Sequence, residues 1–145
     1  MRVRRSAHAL IVREGKLLVV REAMGYWSLP GGGARPGEPL LAALEREVWE
    51  ETGCRVVHPS LLALVEHPMF PNTPHAAWVL SARFEAGLVG EPVPGPDVQK
   101  LAWVPLETAA AWLSQGHPHP EVWAQVAAYA RGEGRGYFGP AARTS

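Results

Sequence analysis

Three carboxylates carry the chemistry most legible in this chain of 145 residues. Between Glu38 and Thr52 the apolar residues Leu41, Leu44 and Val48 recur at i, i+3 and i+7, the period of an amphipathic helix. On such a helix Glu47, Glu50 and Glu51 fall within an arc of roughly 100°, so all three point the same way. Like charges at this spacing repel and weaken a helix unless a cation sits among them. Oxygen-only clusters suit hard divalent ions, and Mg²⁺ takes carboxylates while sharing phosphate oxygens and keeping water. Such an ion would neutralise phosphate charge, activate water and stabilise the charge that develops in phosphoryl transfer. Arg46 stands four residues before Glu50, where its rigid fork can hold that carboxylate in place. Glu45 and Trp49 fall on the far side of the helix, toward solvent.

Just upstream, Pro30-Gly31-Gly32-Gly33 reads as a loop of permissive backbone that lets amides or carbonyls approach a metal or a phosphate closely. Arg35, in the same loop, is placed to meet a phosphate; Arg13 and Arg21 are weaker candidates for that role. From the residues alone two readings stand. One is a divalent-metal site beside a glycine loop, the other a merely solvated acidic helix face.

The elements that must position these groups follow from local pattern. Val3–Val12 and Lys16–Arg21 read as strands joined at Glu14-Gly15. Tyr26–Leu29 reads as a short strand. The helix runs from about Glu38, with Pro39 in its first turn and Gly53 just past its end. Further strands are expected near Arg55–Val57, Leu61–Glu66, Ala76–Glu85 and Val98–Val104. Helices are expected around Glu107–Ser114 and Pro120–Arg131. This order predicts one α/β (α+β) domain over residues 1–131 with a mixed sheet, followed by a Gly-rich, flexible tail at 132–145.

Fourteen basic side chains balance fourteen acidic ones, so no global field favours nucleic acid or an anionic membrane. The single cysteine, Cys54, excludes an internal disulfide and a cysteine-based zinc framework. With no secretory pattern and no apolar run near the roughly 20 residues needed to span a bilayer, a cytoplasmic location is expected. His117 with His119, and His67 with His75, are an alternative zinc reading, weakened by the lack of cysteine partners. Trp27, Phe70 and Trp78 are candidates to stack on a base, although aromatics are more often core. The proline-bearing loop His67–Pro74 is expected to overhang the site and help choose the substrate.

The stretch Gly32–Cys54, GGARPGEPLLAALEREVWEETGC, resembles the Nudix box, G-x5-E-x7-R-E-U-x-E-E-x-G-U with U a bulky aliphatic. Gly32, Glu38, Arg46-Glu47-Val48, Glu50-Glu51 and Gly53 all match; only Cys54 replaces the usual aliphatic, and buried cysteine behaves as a small hydrophobe. Trp27–Gly31 and Trp103–Glu107 extend the likeness. The resemblance implies a Nudix fold, a mixed sheet sandwiched between helices with a loop–helix–loop motif. It also implies hydrolysis of a nucleoside diphosphate linked to another moiety, with Mg²⁺ or Mn²⁺. By position Glu47, Glu50, Glu51 and the Gly31 carbonyl would be metal ligands. Arg46 would orient the carboxylates, and Gly32, Gly33 and Arg35 would meet substrate. Glu38 would be structural or an outer-sphere group. The general base varies across the family; Asp97 is the loop candidate here, with Glu85 and Glu91 behind it. Pro68 and Pro71 lie near a proline often found in ADP-ribose hydrolases, which gives a mild preference for ADP-ribose or nucleotide sugars. The alternatives are a (deoxy)nucleoside triphosphate pyrophosphohydrolase and a non-catalytic ligand-sensing module. A homodimer is compatible with the family.

Overall fold

A computed structural model describes residues 2–140 of the chain. Strands β1 (Arg2–Arg13), β2 (Lys16–Glu22), β3 (Trp27–Ser28) and β4 (Gly31–Gly33) precede helix α1 (Leu40–Thr52). Strands β5 (Arg55–Met69), β6 (Ala77–Val89) and β7 (Val98–Pro105) follow. A single 3₁₀ turn at Leu106–Thr108 leads into α2 (Ala109–Ser114), then α3 (Glu121–Ala130) and β8 (Gly136–Phe138). The sheet runs β3-β2-β1-β6-β5-β8, with β4 beside β1 and β7 beside β2. It is mixed, because β1 pairs with β6 and β5 with β8 in parallel.

Alternation along β1 and β2 builds two cores. Ala7, Ala9, Ile11 and Leu18 face Leu44 and Val48 of α1. Leu10, Leu17 and Val19 face the opposite way, onto Leu113 of α2 and Val126 of α3. Period-2 side-chain direction thus turns one sheet into the middle layer of a helix–sheet–helix sandwich. Gly53, at φ 68°, ends α1 with its N–H on the Trp49 carbonyl, the left-handed cap that glycine adopts without a Cβ penalty.

Several sequence expectations need correction. Gly31–Gly33 is a paired strand rather than a free loop, since β1 supplies the partner that glycine's low strand propensity could not announce. Arg55–Val57 and Leu61–Glu66 are parts of one strand, broken in register between Val57 and Ser60 where His58 sits at φ 52°. Pro39 caps α1 from outside its first turn. Leu41 is 42% exposed, and Ala43, Leu44 and Val48 form the buried stripe instead. In the stretch expected as a flexible tail, Gly136–Phe138 pairs with Ala63–Val65; residues 141–145 lie outside the described residues. Among the described residues no helix is long and apolar enough to cross a membrane.

Candidate active site

The side chains of α1 grade in burial along its acidic face. Glu51 is 8% exposed, whereas the side chains of Glu47 and Glu50 are 22% and 50% exposed. Glu51 accepts a hydrogen bond from the Gly31 N–H at 2.9 Å. That bond follows from register. Ala9 N–H reaches the Pro30 carbonyl and Ala34 N–H the Arg5 carbonyl, so Gly31 and Gly33 between them are the outward-facing residues of β4. Their backbone groups turn from β1 toward α1. The Gly31 carbonyl is directed the same way, and the Gly33 carbonyl accepts from Arg46 at 3.0 Å.

Neither of the first two glycines tolerates a side chain. A Cβ at Gly31, already at φ 135°, would come within 2.7 Å of His8 Cα. One at Gly32 would lie 2.6 Å from Glu47 Cδ. The first clash seats Gly31 directly on the backbone of β1, and the second sets Gly32 against the Glu47 side chain on the carboxylate face of α1.

Arg46 is expected to steady Glu50, but its main partner is Glu38. Nε and Nη2 donate to the two oxygens of Glu38, each at 2.9 Å, while Nη1 donates to Glu47 at 2.9 Å. Glu50 is only an ion-pair neighbour at 3.5 Å. The fork therefore ties the box loop to the helix in the bidentate geometry guanidinium favours. Its hydrogen bonds hold the Glu38 carboxyl down at about 2.

Glu22, Glu47, Glu50, Glu51 and Asp97 line one cavity of about 410 Å³. Glu22 escapes sequence reasoning because nothing marks it. A register shift after Arg21 pairs Glu22 with Val98, and so brings it beside Asp97. Asp97 itself is held by backbone of the β6–β7 loop. Gly95 N–H bonds to the Glu51 carbonyl at 3.0 Å and Val93 N–H to the Thr52 carbonyl at 2.9 Å, which also satisfies orphan carbonyls at the end of α1. Desolvation, then Glu47, Glu22 and Glu50, push the Glu51 carboxyl up to about 8 against the Gly31 hydrogen bond. Burial likewise raises Glu47, opposed by Arg46. Carboxylates drawn together and desolvated in this way favour a bound cation. Among the described residues no three His, Cys, Asp or Glu groups enclose an ion on their own. Mg²⁺ in general takes one or two carboxylates and completes its octahedron with water and phosphate oxygens.

Other expected residues lie elsewhere. Glu85 accepts from the Tyr129 hydroxyl at 2.6 Å, and Glu91 pairs with Arg13 at 3.2 Å, so neither joins the carboxylate cavity. Arg35 lines neither this cavity nor the one on the other side of β4. Arg4 and Arg5 stand in the latter, beside Gly32 and Gly33. Trp27 packs edge-on to Trp112 with centroids 5.1 Å apart, and Phe70 is exposed. His67 stacks on His119 at 5.0 Å rather than forming a metal trio. Pro68 is paired within β5, and neither it nor Pro71 lines either cavity; His67 and Met69 do.

A family model, the NUDIX domain, matches residues 2–125. The chain belongs to the Nudix family. A MutT-like protein of Streptomyces ambofaciens is 49% identical over 53 residues, covering 35% of this chain and 34% of that protein. An 8-oxo-(d)GTP phosphatase of Mycolicibacterium smegmatis is 35% identical over 83 residues, covering 57% of this chain and 24% of that protein. The match thus spans about a third or less of the length of either relative. Among solved structures, the MutT protein of Methanosarcina mazei Go1 superposes with a TM-score of 0.66 at 26% identity, over 86% of this chain and 93% of that one. The helix–sheet–helix sandwich described above is the Nudix fold.

Proposed function

We propose that the protein is a divalent-cation-dependent hydrolase that opens a phosphoanhydride bond of a nucleoside triphosphate, releasing a nucleoside monophosphate and pyrophosphate. The observation that carries this reading is the convergence of Glu22, Glu47, Glu50, Glu51 and Asp97 on one cavity against β4. Glu47, Glu50, Glu51 and the Gly31 carbonyl would hold Mg²⁺ or Mn²⁺. When bound, such an ion offsets phosphate charge and raises the acidity of water.

The chain's own residues supply position and proton transfer. Arg46 fixes Glu47 and the loop at Glu38, while Gly31 N–H fixes Glu51. Asp97 lines the same cavity as the helix carboxylates, and we assign it to take the proton of the attacking water. Arg4 and Arg5, exposed beside Gly32 and Gly33, add positive charge that attracts an anionic substrate.

Support for a triphosphate comes from the 8-oxo-(d)GTP phosphatase among the relatives. The mild preference for ADP-ribose rests on Pro68 and Pro71, neither of which lines either cavity. The test is product analysis with Mg²⁺ across deoxynucleoside triphosphates, ADP-ribose, nucleotide sugars and dinucleoside polyphosphates. A triphosphate is expected to lead by about tenfold or more in kcat/KM, releasing pyrophosphate. A lead for ADP-ribose would assign the protein to that substrate class instead. Silence across all substrates, with Mg²⁺ and then Mn²⁺, would turn the reading to a ligand-binding module.

A further inference from the structure

On the α2–α3 face of the sheet, a second cavity of about 280 Å³ opens beside Gly32 and Gly33. Ligand pockets generally begin near about 300 Å³, so it suits one small ring system rather than a whole nucleotide. Leu29, Val79, Leu113 and Val122 give it apolar walls. Its floor is built by the parallel pairing of β1 and β6, which sets Ser6 opposite Ser81 and His8 opposite Arg83.

Arg83 is the anomaly. It is 3% exposed, yet its partners are neutral: Nη1 donates to Gln125 Oε1 at 3.0 Å and Nη2 to the Val122 carbonyl at 3.1 Å. Arg83 Nε and the nearby Ser6 Oγ are buried with no hydrogen-bond partner. Among the described residues no carboxylate lines the cavity. A buried cation without a counter-charge is costly, as is each unsatisfied donor. The neighbouring histidines do not add to the charge. His8, bonded to Ser81 Oγ at 3.0 Å, is driven down to about 3 by burial and by Arg83, and burial also lowers His67 and His117. Beside the exposed Arg4 and Arg5, the cavity therefore combines apolar walls and neutral rings with one buried guanidinium whose Nε–H lacks an acceptor.

Resting on the nucleotide reading above, we propose that this cavity takes the nucleobase and that Arg83, with Ser6, selects bases presenting a ring carbonyl over adenine. A planar carbonyl-bearing ring supplies both the apolar faces and the missing acceptor. The Arg83 Nε–H would donate to the ring oxygen while Nη1 and Nη2 keep Gln125 and the Val122 carbonyl. Adenine alone of the common bases has no carbonyl, so it leaves the donor unsatisfied.

The test is equilibrium binding of dGMP, dTMP and dAMP to the metal-free protein by calorimetry, which needs no turnover. The oxo-bases are expected to bind about tenfold or more tighter than dAMP. Arg83→Met should erase that difference, and Ser6→Ala should reduce it in a protein whose fold is less at risk. Equal binding of the three by the wild type, or no binding of any, overturns the proposal. So does a uniform loss for all three in a folded Arg83→Met, which would make Arg83 a brace between β6 and α3. Hydrolysis of triphosphates without base preference would sink this inference and leave the nucleotide reading standing. Base-selective binding without hydrolysis would do the reverse.

Discussion

At the scale of single residues, the proposed cation site turns on Glu51. In the metal-free fold its carboxyl is raised from 4.5 to about 8, chiefly by burial. Between those values the folded protein keeps a proton that the unfolded chain has released. Stability contributed by this group is therefore present at low pH and falls as pH rises through that window. A cation must displace the proton, so Mg²⁺ affinity is expected to increase from pH 6.5 to 8, with proton release visible in buffers of different ionisation enthalpy. An affinity that does not move with pH would remove Glu51 from the ligand set. Much of this residue's role is legible in sequence, since Glu47, Glu50 and Glu51 share a helix face by spacing alone. Their ranking by burial is not. It depends on how closely β4 lies on α1, and on a Gly31 N–H whose direction is set by pairing with residues 6–8.

At the scale of elements, α1 is placed by its two ends. Its start is tied by Arg46 to Glu38 and to the Gly33 carbonyl. Its end is covered by the β6–β7 loop, where Gly95 N–H meets the Glu51 carbonyl. A Cβ at Gly95 would come within 3.0 Å of Glu50 C and overlap the Glu50 carbonyl oxygen, so only glycine allows this approach. Gly95→Ala is expected to cost about 1–3 kcal/mol of stability by forcing the loop outward. It should lower kcat as well, because Asp97 travels with the loop; thermal melts and steady-state rates check both. Unchanged melting and turnover would show that the loop does not position Asp97. The helix and most strands were readable from period and turn chemistry. β4 and the unbroken β5 were not, because glycine and a bulged strand take their structure from partners distant in sequence.

At the scale of the whole molecule, β4 divides two compartments. Gly31 bonds to Glu51 on one side, while Gly32 and Gly33 line the cavity that holds Arg83 on the other. A nucleotide lying across β4 would place its base in the apolar cavity and its phosphates against the carboxylates. The carboxylate half comes mainly from the contiguous run Gly31–Glu51 and is legible as a motif. The other half is assembled from β1, β5, β6 and the region of α2 and α3, so no local pattern announces Ser6, His8 or Arg83. Glu22 is hidden for the same reason, since its place is fixed by the β2–β7 register.

The decisive measurement is the turnover of Glu50→Gln beside the wild type, on the best triphosphate, at saturating Mg²⁺. Glu50 is half exposed and meets Arg46 only at 3.5 Å, so the substitution should leave the fold and its melting temperature intact. The expected result is a loss in kcat of about 100-fold or more, the scale of removing a metal ligand or proton acceptor. Activity within about twofold of the wild type would contradict a carboxylate-centred phosphoanhydride hydrolase and return the acidic face of α1 to a solvated surface.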